Sequence, residues 1–398
     1  MTNSVPKILM YYSSHSGAEI DGTMTIALNI ARSFYLAKIP TIFIFNGHPD
    51  IFQMFKNTGV DVRRIQMPEP GAKKLFNPFY RRRFSKNLIE LINNEDIDVL
   101  HLGQRDSYIL NYVKKTKVMK VCQQDGAFPV PKPLSIFEHG PTINPKKLLK
   151  AWYRKYVLWN YKRADLVLSV SDAARKCSIV RFRIKPEVAF TVRPGIQRRS
   201  DEAKPGQIRR EFNIKPDEKI ILSVGRITKE KGVEDFGDIA KILSDRGKKI
   251  KFLFAGNARD ENYYNAIKQK YGSFIIFIGH RTDIYNAYQD ATLFTHFSHR
   301  EGLGMVILEA AEFGLPCVGW DIPGTNEALL DGTTGLAIPF GDHLAAANAI
   351  EKLLDDQSEL DRLVKGTTQR FNKSFSIEGW ADRNLAAYDK RKKDILKS

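Results

Sequence analysis

Short apolar runs alternate with amphipathic stretches along almost the whole chain. Lys7–Tyr12 reads as a first buried strand, followed by the polar loop Ser13–Gly22. Thr23–Ala37 sets Ile26, Ala27 and Ile30 on one helical face, and Thr41–Phe45 is the next strand. Asp98–Leu102, Lys120–Asp125 and Ala164–Ser171 continue the series. A second series runs through Lys219–Val224, Phe252–Gly256, Phe274–Gly279, Leu293–Phe297 and Pro316–Trp320. Strand, helix, strand in this rhythm predicts a doubly wound α/β fold. Between the two series, Arg193-Pro194-Gly195 and the polar run to Gly206 read as an interdomain linker. The expected domains are 1–195 and 196–374, followed by a terminal helical segment over 375–398.

The densest stretch runs from His299 to Asp342. Glu301-Gly-Leu-Gly304 is a tight glycine turn. Apolar residues then fall at helical spacing from Met305 to Phe313, and Gly314 with Pro316 stops the helix. A helix opening on glycines offers free N–H groups and about half a positive charge, which suits a phosphate. Glu301 precedes this helix, and Glu309 lies inside it between Leu308 and Ala310, where an unpaired carboxylate is costly. Ionised carboxylates only accept hydrogen bonds, so a sugar or ribose hydroxyl is a natural partner. After Lys219–Val224 come Gly225-Arg226 and Lys231-Gly232, then a helix from Val233. Basic side chains between a strand and a helix either converge on a diphosphate or decorate an ordinary surface turn.

A chain of 398 residues can bury two cores. Cys122, Cys177 and Cys317 are far apart and form no CxxC, which argues against a disulfide framework or a zinc site and fits a reducing compartment. Met1–Tyr12 lacks a signal-peptide pattern and no apolar run approaches the roughly 18 residues of a membrane span, so a soluble or peripheral protein is expected. Charge sharpens that picture. Residues 1–195 hold 31 Lys/Arg against 15 Asp/Glu, a net +16, whereas residues 196–398 hold 31 against 30, a net +1. The positive field belongs to a partner of the first half: nucleic acid, an anionic membrane or a phosphorylated acceptor. Within that half, Gly71–Lys86 combines Phe76, Phe79 and Tyr80 with Lys73, Lys74 and Arg81–Arg83 around a helix start at Asn77-Pro78. It reads either as a solvated helix start or as a membrane-interface patch. Phe84, Leu88 and Leu91 point to the core. Pro145–Arg163 reads as a helix whose aromatic stripe, Trp152, Tyr156 and Trp159 with Leu149, is more often core than interface at such spacing.

The Glu-x7-Glu spacing of Glu301 and Glu309 around Gly302, Leu303 and Gly304 strongly resembles the signature of the retaining glycosyltransferases of family 4. Gly225-Arg226 with Lys231-Gly232, and Ala164–Ser171, resemble two further segments of that family. The resemblance implies the GT-B architecture, two Rossmann-like domains facing across a cleft, with the last helix crossing back to the first domain. It implies transfer of a sugar from a UDP- or GDP-linked donor with retained configuration and without a metal. Glu301 would touch the transferred sugar and Glu309 the ribose. Arg226 and Lys231 would grip the diphosphate, and His280 would line the base pocket unless it is only an exposed turn residue. Relatives carry paired glycines near the donor phosphates where this chain has Asp21-Gly22, so only Gly22 carries over. Where they carry a cleft histidine, this chain has Gln124-Asp125-Gly126; Asp125 either takes over at the acceptor hydroxyl or belongs to a plain turn.

The basic first domain would bind the acceptor, a lipid-linked or cell-envelope glycan, on the cytoplasmic face of an anionic membrane and without nucleic acid. The rivals are a glycoside hydrolase using the two glutamates, a non-catalytic nucleic-acid or polyanion binder, and a same-fold enzyme of phosphorolysis or epimerisation.

Overall fold

The computed structural model describes residues 5–13, 22–63, 78–104, 106–125, 159–258 and 260–397, the side chains of Asn46 and of residues 78–81 excepted. It divides into two compact units, Met1–Gly195 with Ile377–Ser398, and Ile196–Ser376. Each unit is a parallel sheet with helices between its strands.

In the first unit the elements are β1 (Ile8–Ser13), α1 (Gly22–Leu36), β2 (Thr41–Asn46), α2 (Pro49–Lys56), β3 (Asp61–Arg63), α3 (Pro78–Asn94), β4 (Val99–Leu102), β5 (Met119–Gln124), β6 (Leu166–Ser169), α4 (Asp172–Phe182) and β7 (Ala189–Thr191). The strand order is β3-β2-β1-β4-β5-β6-β7, so the winding reverses between β1 and β4. These strands are apolar almost throughout because both faces are covered, as in Ile8–Tyr12, buried to 1 % exposure or less. Phe84, Leu88 and Ile92 of α3 enter the core with Leu91 at its border, as the helical spacing requires. Ser171 caps α4 by accepting a bond from the Ala174 N–H at 2.9 Å.

The last helix of the chain closes this unit. Trp380, Ala381, Asn384, Ala387 and Tyr388, three to four residues apart, form the buried face of the helix Trp380–Lys397. The Ser33 hydroxyl donates to the Ile377 carbonyl at 3.0 Å, and Arg391 Nε donates to the Asp165 carbonyl at 2.6 Å. The Tyr388 hydroxyl meets His101 Nδ1 at 2.7 Å, and burial pushes that histidine down to about 4, keeping it neutral at physiological pH.

The second unit runs α5 (Gln207–Glu211), β8 (Lys219–Val224), α6 (Val233–Asp245), β9 (Ile250–Ala255), α7 (Glu261–Tyr271), β10 (Ile275–Gly279), α8 (Tyr285–Asp290), β11 (Leu293–His296), α9 (Met305–Glu312), β12 (Cys317–Trp320), α10 (Thr325–Ala328), β13 (Gly335–Ile338), α11 (His343–Asp355) and α12 (Gln357–Ser374). The helix Trp380–Lys397 is α13. The strand order is β10-β9-β8-β11-β12-β13, with the reversal between β8 and β11. Val233, Phe236, Ile239, Ala240 and Leu243 of α6 pack against Phe252 and Phe254 and against Ala346, Ala347, Ile350 and Leu353 of α11. Each fully buried large side chain contributes about 1.5–3 kcal/mol to this core.

Two expectations are corrected. The run from Ile196 to Gly206 is no free linker but is bonded into the second unit. The Ile196 N–H donates to the Phe375 carbonyl at 2.7 Å, Ser200 N–H to Glu312 at 3.2 Å, Lys204 N–H to Asn286 at 2.7 Å and Gly206 N–H to Asp290 at 2.5 Å. These bonds run from backbone N–H groups to acceptors far along the chain, which composition does not reveal. Trp159 is not in the core: it is 51 % exposed with the Arg163 guanidinium 3.7 Å over its ring. Leu149, Trp152 and Tyr156 lie outside the described residues.

Candidate active site

In an open parallel sheet, ligands bind at the carboxyl ends of the strands where the winding reverses. In the second unit that point lies between β8 and β11. The turn after β8 carries Arg226 and Lys231, and the turn after β11 carries Glu301. Lys231 Nζ donates to Glu301 Oε1 at 2.5 Å, joining residues 70 positions apart. Both side chains are mostly covered, at 19 % and 14 % exposure. Burial pushes the Glu301 carboxyl up, but His296 and Lys231 outweigh it and hold the group well below the ordinary carboxylate range.

The backbone brings these turns together without slack. Gly232 has φ +66°, and a Cβ there would overlap the Phe297 carbonyl oxygen. The Ser298 hydroxyl and the His299 N–H both donate to the Glu230 carbonyl, at 3.1 and 2.8 Å, and Arg300 reaches the Glu230 carboxylate at 2.6 Å. Gly324 has φ +94°, and a Cβ there would lie 2.6 Å from the Glu301 carbonyl and 2.9 Å from that of Gly302. Three loops, after β8, β11 and β12, thus abut at one spot.

Gly304, at φ +84°, opens α9, and Gly302, Leu303 and Gly304 form the turn ahead of its free N–H groups. Leu303 is buried at 2 % exposure and anchors the turn. Glu309 follows in α9, and the Tyr288 hydroxyl donates to its Oε2 at 3.0 Å. Burial raises the Glu309 pKa, opposed by the Tyr288 bond and by Arg199. The two glutamates of the motif are therefore tuned in opposite directions, Glu301 toward the ionised form and Glu309 away from it.

Arg226 is exposed at the end of β8, and His280 is exposed just after β10. Their turns touch through Gly256: its N–H donates to the Gly279 carbonyl at 2.8 Å, and the Gly225 carbonyl occupies the space of its missing Cβ. Arg226, Lys231, His280, Gly302–Gly304, Glu301 and Glu309 all belong to this carboxyl edge and the helix it feeds. Gly22 and Asp125 belong to the first unit. Gly22 opens α1 with open space where a Cβ would stand. Asp125 follows β5, its N–H donating to Gln104 Oε1 at 3.2 Å. Burial first and the Asp125 charge second push the Tyr12 hydroxyl well above its usual range. At the winding reversal of this unit, Ser13 Oγ donates to Asp106 Oδ1 at 2.5 Å and Ser13 N–H to Oδ2 at 3.0 Å.

Two residues of the site escape a reading of the sequence, His296 and Tyr288, whereas Gly324 lies in the segment Asp321–Glu327, which resembles the family's Gly…Glu after the next strand. His296 hides in a strand that is otherwise core, and Tyr288 in the helix one strand before that of its partner. Among the described residues, no group of three or more His, Cys, Asp or Glu is placed to hold a metal ion.

Comparison with known proteins agrees with this arrangement. The model of "Glycosyl transferases group 1" matches residues 206–370, and that of "Glycosyltransferase Family 4" matches residues 20–199. The capsular polysaccharide biosynthesis glycosyltransferase CapM of Staphylococcus aureus is 30 % identical over 41 % of this chain and 43 % of its own. The alpha-D-kanosaminyltransferase of Streptomyces kanamyceticus is 28 % identical over 57 % of this chain and 61 % of its own. The chain thus spans about half the length of the curated relatives it matches. Among solved structures, a glycosyltransferase from Rickettsia africae superimposes with a TM-score of 0.77 over 97 % of this chain and 98 % of that one, at 17 % identity. Anabaena HepE, solved with UDP and glucose, gives 0.76 over 96 % and 99 %, at 15 % identity. The fold is that of the GT-B enzymes, two Rossmann-like domains and a returning C-terminal helix. The chain belongs to the glycosyltransferases of family 4.

Proposed function

We propose that the protein transfers a sugar, with retained anomeric configuration, from a UDP- or GDP-linked donor to a glycan or lipid-linked acceptor of the cell envelope. The observation that carries this reading is the Lys231–Glu301 pair at the winding reversal, beside a glycine-opened helix. An ammonium and free amides suit a diphosphate, and an ionised carboxylate suits sugar hydroxyls.

In this reading Arg226 and Lys231 hold the diphosphate at the turn Gly302–Gly304, assisted by the N–H groups that open α9. Glu301 accepts hydrogen bonds from the sugar, Glu309 from the ribose, and His280 flanks the base. Arg226 and Lys231 neutralise the charge that builds as the anomeric carbon exchanges its phosphate oxygen for the acceptor oxygen. The acceptor's proton leaves with the nucleoside diphosphate or to solvent. On the first unit Gly22 serves the donor phosphates, and Asp125 orients the acceptor hydroxyl or takes its proton. The envelope acceptor is supported by CapM, named for capsular polysaccharide biosynthesis, and by a Rhizobium meliloti relative named for lipopolysaccharide core biosynthesis.

A membrane-bound acceptor explains why the excess charge sits on the first half. No helix among the described residues is long and apolar enough to cross a membrane. Instead, Arg82, Arg83 and Lys86 of α3 and Lys114, Lys115, Lys117 and Lys162 are all exposed. The Ser85 hydroxyl donates to the Tyr112 carbonyl at 2.9 Å, and Asn111 donates to Asn160 at 2.6 Å, so these segments adjoin and exposed Trp159 lies among them. Cations with an interfacial tryptophan suit an anionic leaflet, at roughly 1 kcal/mol per cation. Phe76 and Lys73–Lys74 lie outside the described residues, as do the side chains of Phe79, Tyr80 and Arg81. A thermal-shift screen of UDP-, GDP- and ADP-sugars tests the reading: one class should raise the melting temperature. No response to any of them would remove the transferase assignment.

A further inference from the structure

Glu301 Oε1 has two neighbours. Besides Lys231, His296 places Nε2 3.2 Å away, within ion-pair reach though off the line of a hydrogen bond. His296 sits on β11, 4 % exposed, its ring stacked on Phe294 with 6.5 Å between centroids and 18° between planes. Its Nε2 has no hydrogen-bond partner among the described residues. A buried imidazole nitrogen without a bond carries a desolvation cost, so its direction toward Glu301 calls for a reason. Gly304 lies close by, since a Cβ there would stand 3.7 Å from Nε2.

Lys231 has two anions to serve. In the reading above it grips the donor diphosphate, yet in the free protein it is bonded to Glu301 at 2.5 Å. An ammonium has three donors and can face both anions, but the diphosphate's pull on it loosens its bond to Glu301, a covered carboxylate that needs a donor to stay fixed. His296 is the other donor in reach, and because an ionised carboxylate can only accept, Nε2 must present the N–H to bond it. Resting on the assignment of Glu301 to the sugar and Lys231 to the diphosphate, we infer that His296 is a positioning residue. It holds the Glu301 carboxylate in its sugar-binding orientation once the donor draws Lys231 away.

The rotation required is small, because Nε2 already lies within 3.2 Å and needs only to turn onto the hydrogen-bond line. The strand fixes the backbone from which the ring turns. His296 touches neither sugar nor phosphate here. Its effect is expected in the part of donor affinity that comes from the sugar, not in the part that comes from the nucleotide.

The test uses the full chain and the donor among UDP-glucose, UDP-N-acetylglucosamine and GDP-mannose that the wild type turns over, with the matching nucleoside diphosphate. Calorimetry gives both dissociation constants for His296→Phe, which keeps the stack, and for His296→Gln, whose amide can reach the same oxygen. His296→Phe should bind the nucleoside diphosphate within twofold of wild type, bind the donor sugar about tenfold more weakly and lose kcat by a similar factor. His296→Gln should recover most of both. Wild-type donor affinity and kcat in His296→Phe would overturn the inference, as would equal weakening of nucleotide and donor or no recovery in His296→Gln. Glu301→Gln in the same assay separates the levels. If it loses turnover while His296→Phe does not, only the inference about His296 fails; if it keeps turnover, the reading of the site fails with it.

Discussion

The Tyr288 hydroxyl donates to Glu309 Oε2 at 3.0 Å, and this bond holds one oxygen of the second glutamate of the motif and opposes the effect of its burial. Tyr288 is 2 % exposed, its ring stacked on Phe313, so the hydroxyl has one direction to point. One carboxylate oxygen is thereby occupied, and in the proposed function the other meets the ribose. Removing the hydroxyl with Tyr288→Phe should weaken nucleoside diphosphate binding by about tenfold, the lower end of a charge-assisted bond of about 1.5–3 kcal/mol. Calorimetry checks this, and unchanged affinity would dismiss Glu309 as the ribose ligand.

Glu309 also predicts a pH dependence whose sign is fixed. Burial raises its pKa, so it protonates at higher pH than an ordinary glutamate as the solution is acidified. Nucleotide affinity should fall on the acid side, beginning above the usual carboxylate range, and Tyr288→Phe should move that limb further up. For stability the sign is opposite. A carboxyl whose folded pKa exceeds its unfolded one costs stability at neutral pH, and that cost disappears in acid. Glu309→Gln should therefore melt at or above the wild-type temperature at pH 7 while losing nucleotide affinity. Differential scanning fluorimetry beside calorimetry reads both.

Lys231→Met leaves Glu301 covered without its shortest contact. The expected loss of stability is about 3 kcal/mol at most, the lower end for a broken buried pair, because both groups keep some exposure. Glu301 has a depressed folded pKa, so its contribution is present above the unfolded value and fades as pH falls below it. The melting deficit of Lys231→Met should thus shrink in acid, and Lys231→Met with Glu301→Gln should recover part of it at pH 7. A deficit that does not change with pH would mean that the pair is not what stabilises the turn.

Gly324→Ala should damage the site through the backbone. At φ +94° with the Glu301 carbonyl 2.6 Å from the new Cβ, alanine must push the Glu301 turn away. A loss of tenfold or more in kcat/KM is expected. Gly247→Ala is the control, since Gly247 also has a positive φ, +72°, but open space around it. It should cost about 1 kcal/mol of stability and no activity. Equal effects of the two would show strain alone at work.

Much of this was legible in the chain itself. β8 spans Lys219–Val224 and α6 begins at Val233, as the apolar runs and Gly232 indicate, because strand and helix periods are local properties. The helix Met305–Glu312 and its stop at Gly314, φ +72°, are equally local. What stayed hidden is pairing at a distance. Lys231 and Glu301 are 70 residues apart, and nothing in either segment says which carboxylate meets which ammonium. His296 could not be told from a core histidine, since its strand is apolar on both faces. The polar run from Ile196 reads as a linker because buried acceptors such as Asp290 and Glu312 lie far along the sequence.

Anionic-membrane binding is checked with vesicles. Arg82→Ser, Arg83→Ser and Lys86→Ser together should reduce sedimentation with phosphatidylglycerol-containing vesicles several-fold, and added salt should reduce it further. Equal binding to neutral vesicles would remove the membrane from the proposal.

The most direct measurement of the central claim is donor turnover by Glu301→Gln against wild type, in EDTA, with melting temperatures recorded alongside. If Glu301 holds the transferred sugar, kcat/KM should fall about a hundredfold, close to 2.7 kcal/mol and within the range of a charge-assisted bond. The nucleoside diphosphate should still bind and the melting temperature should stay within a few degrees. Wild-type turnover by Glu301→Gln, on the donor that wild type prefers, would contradict it.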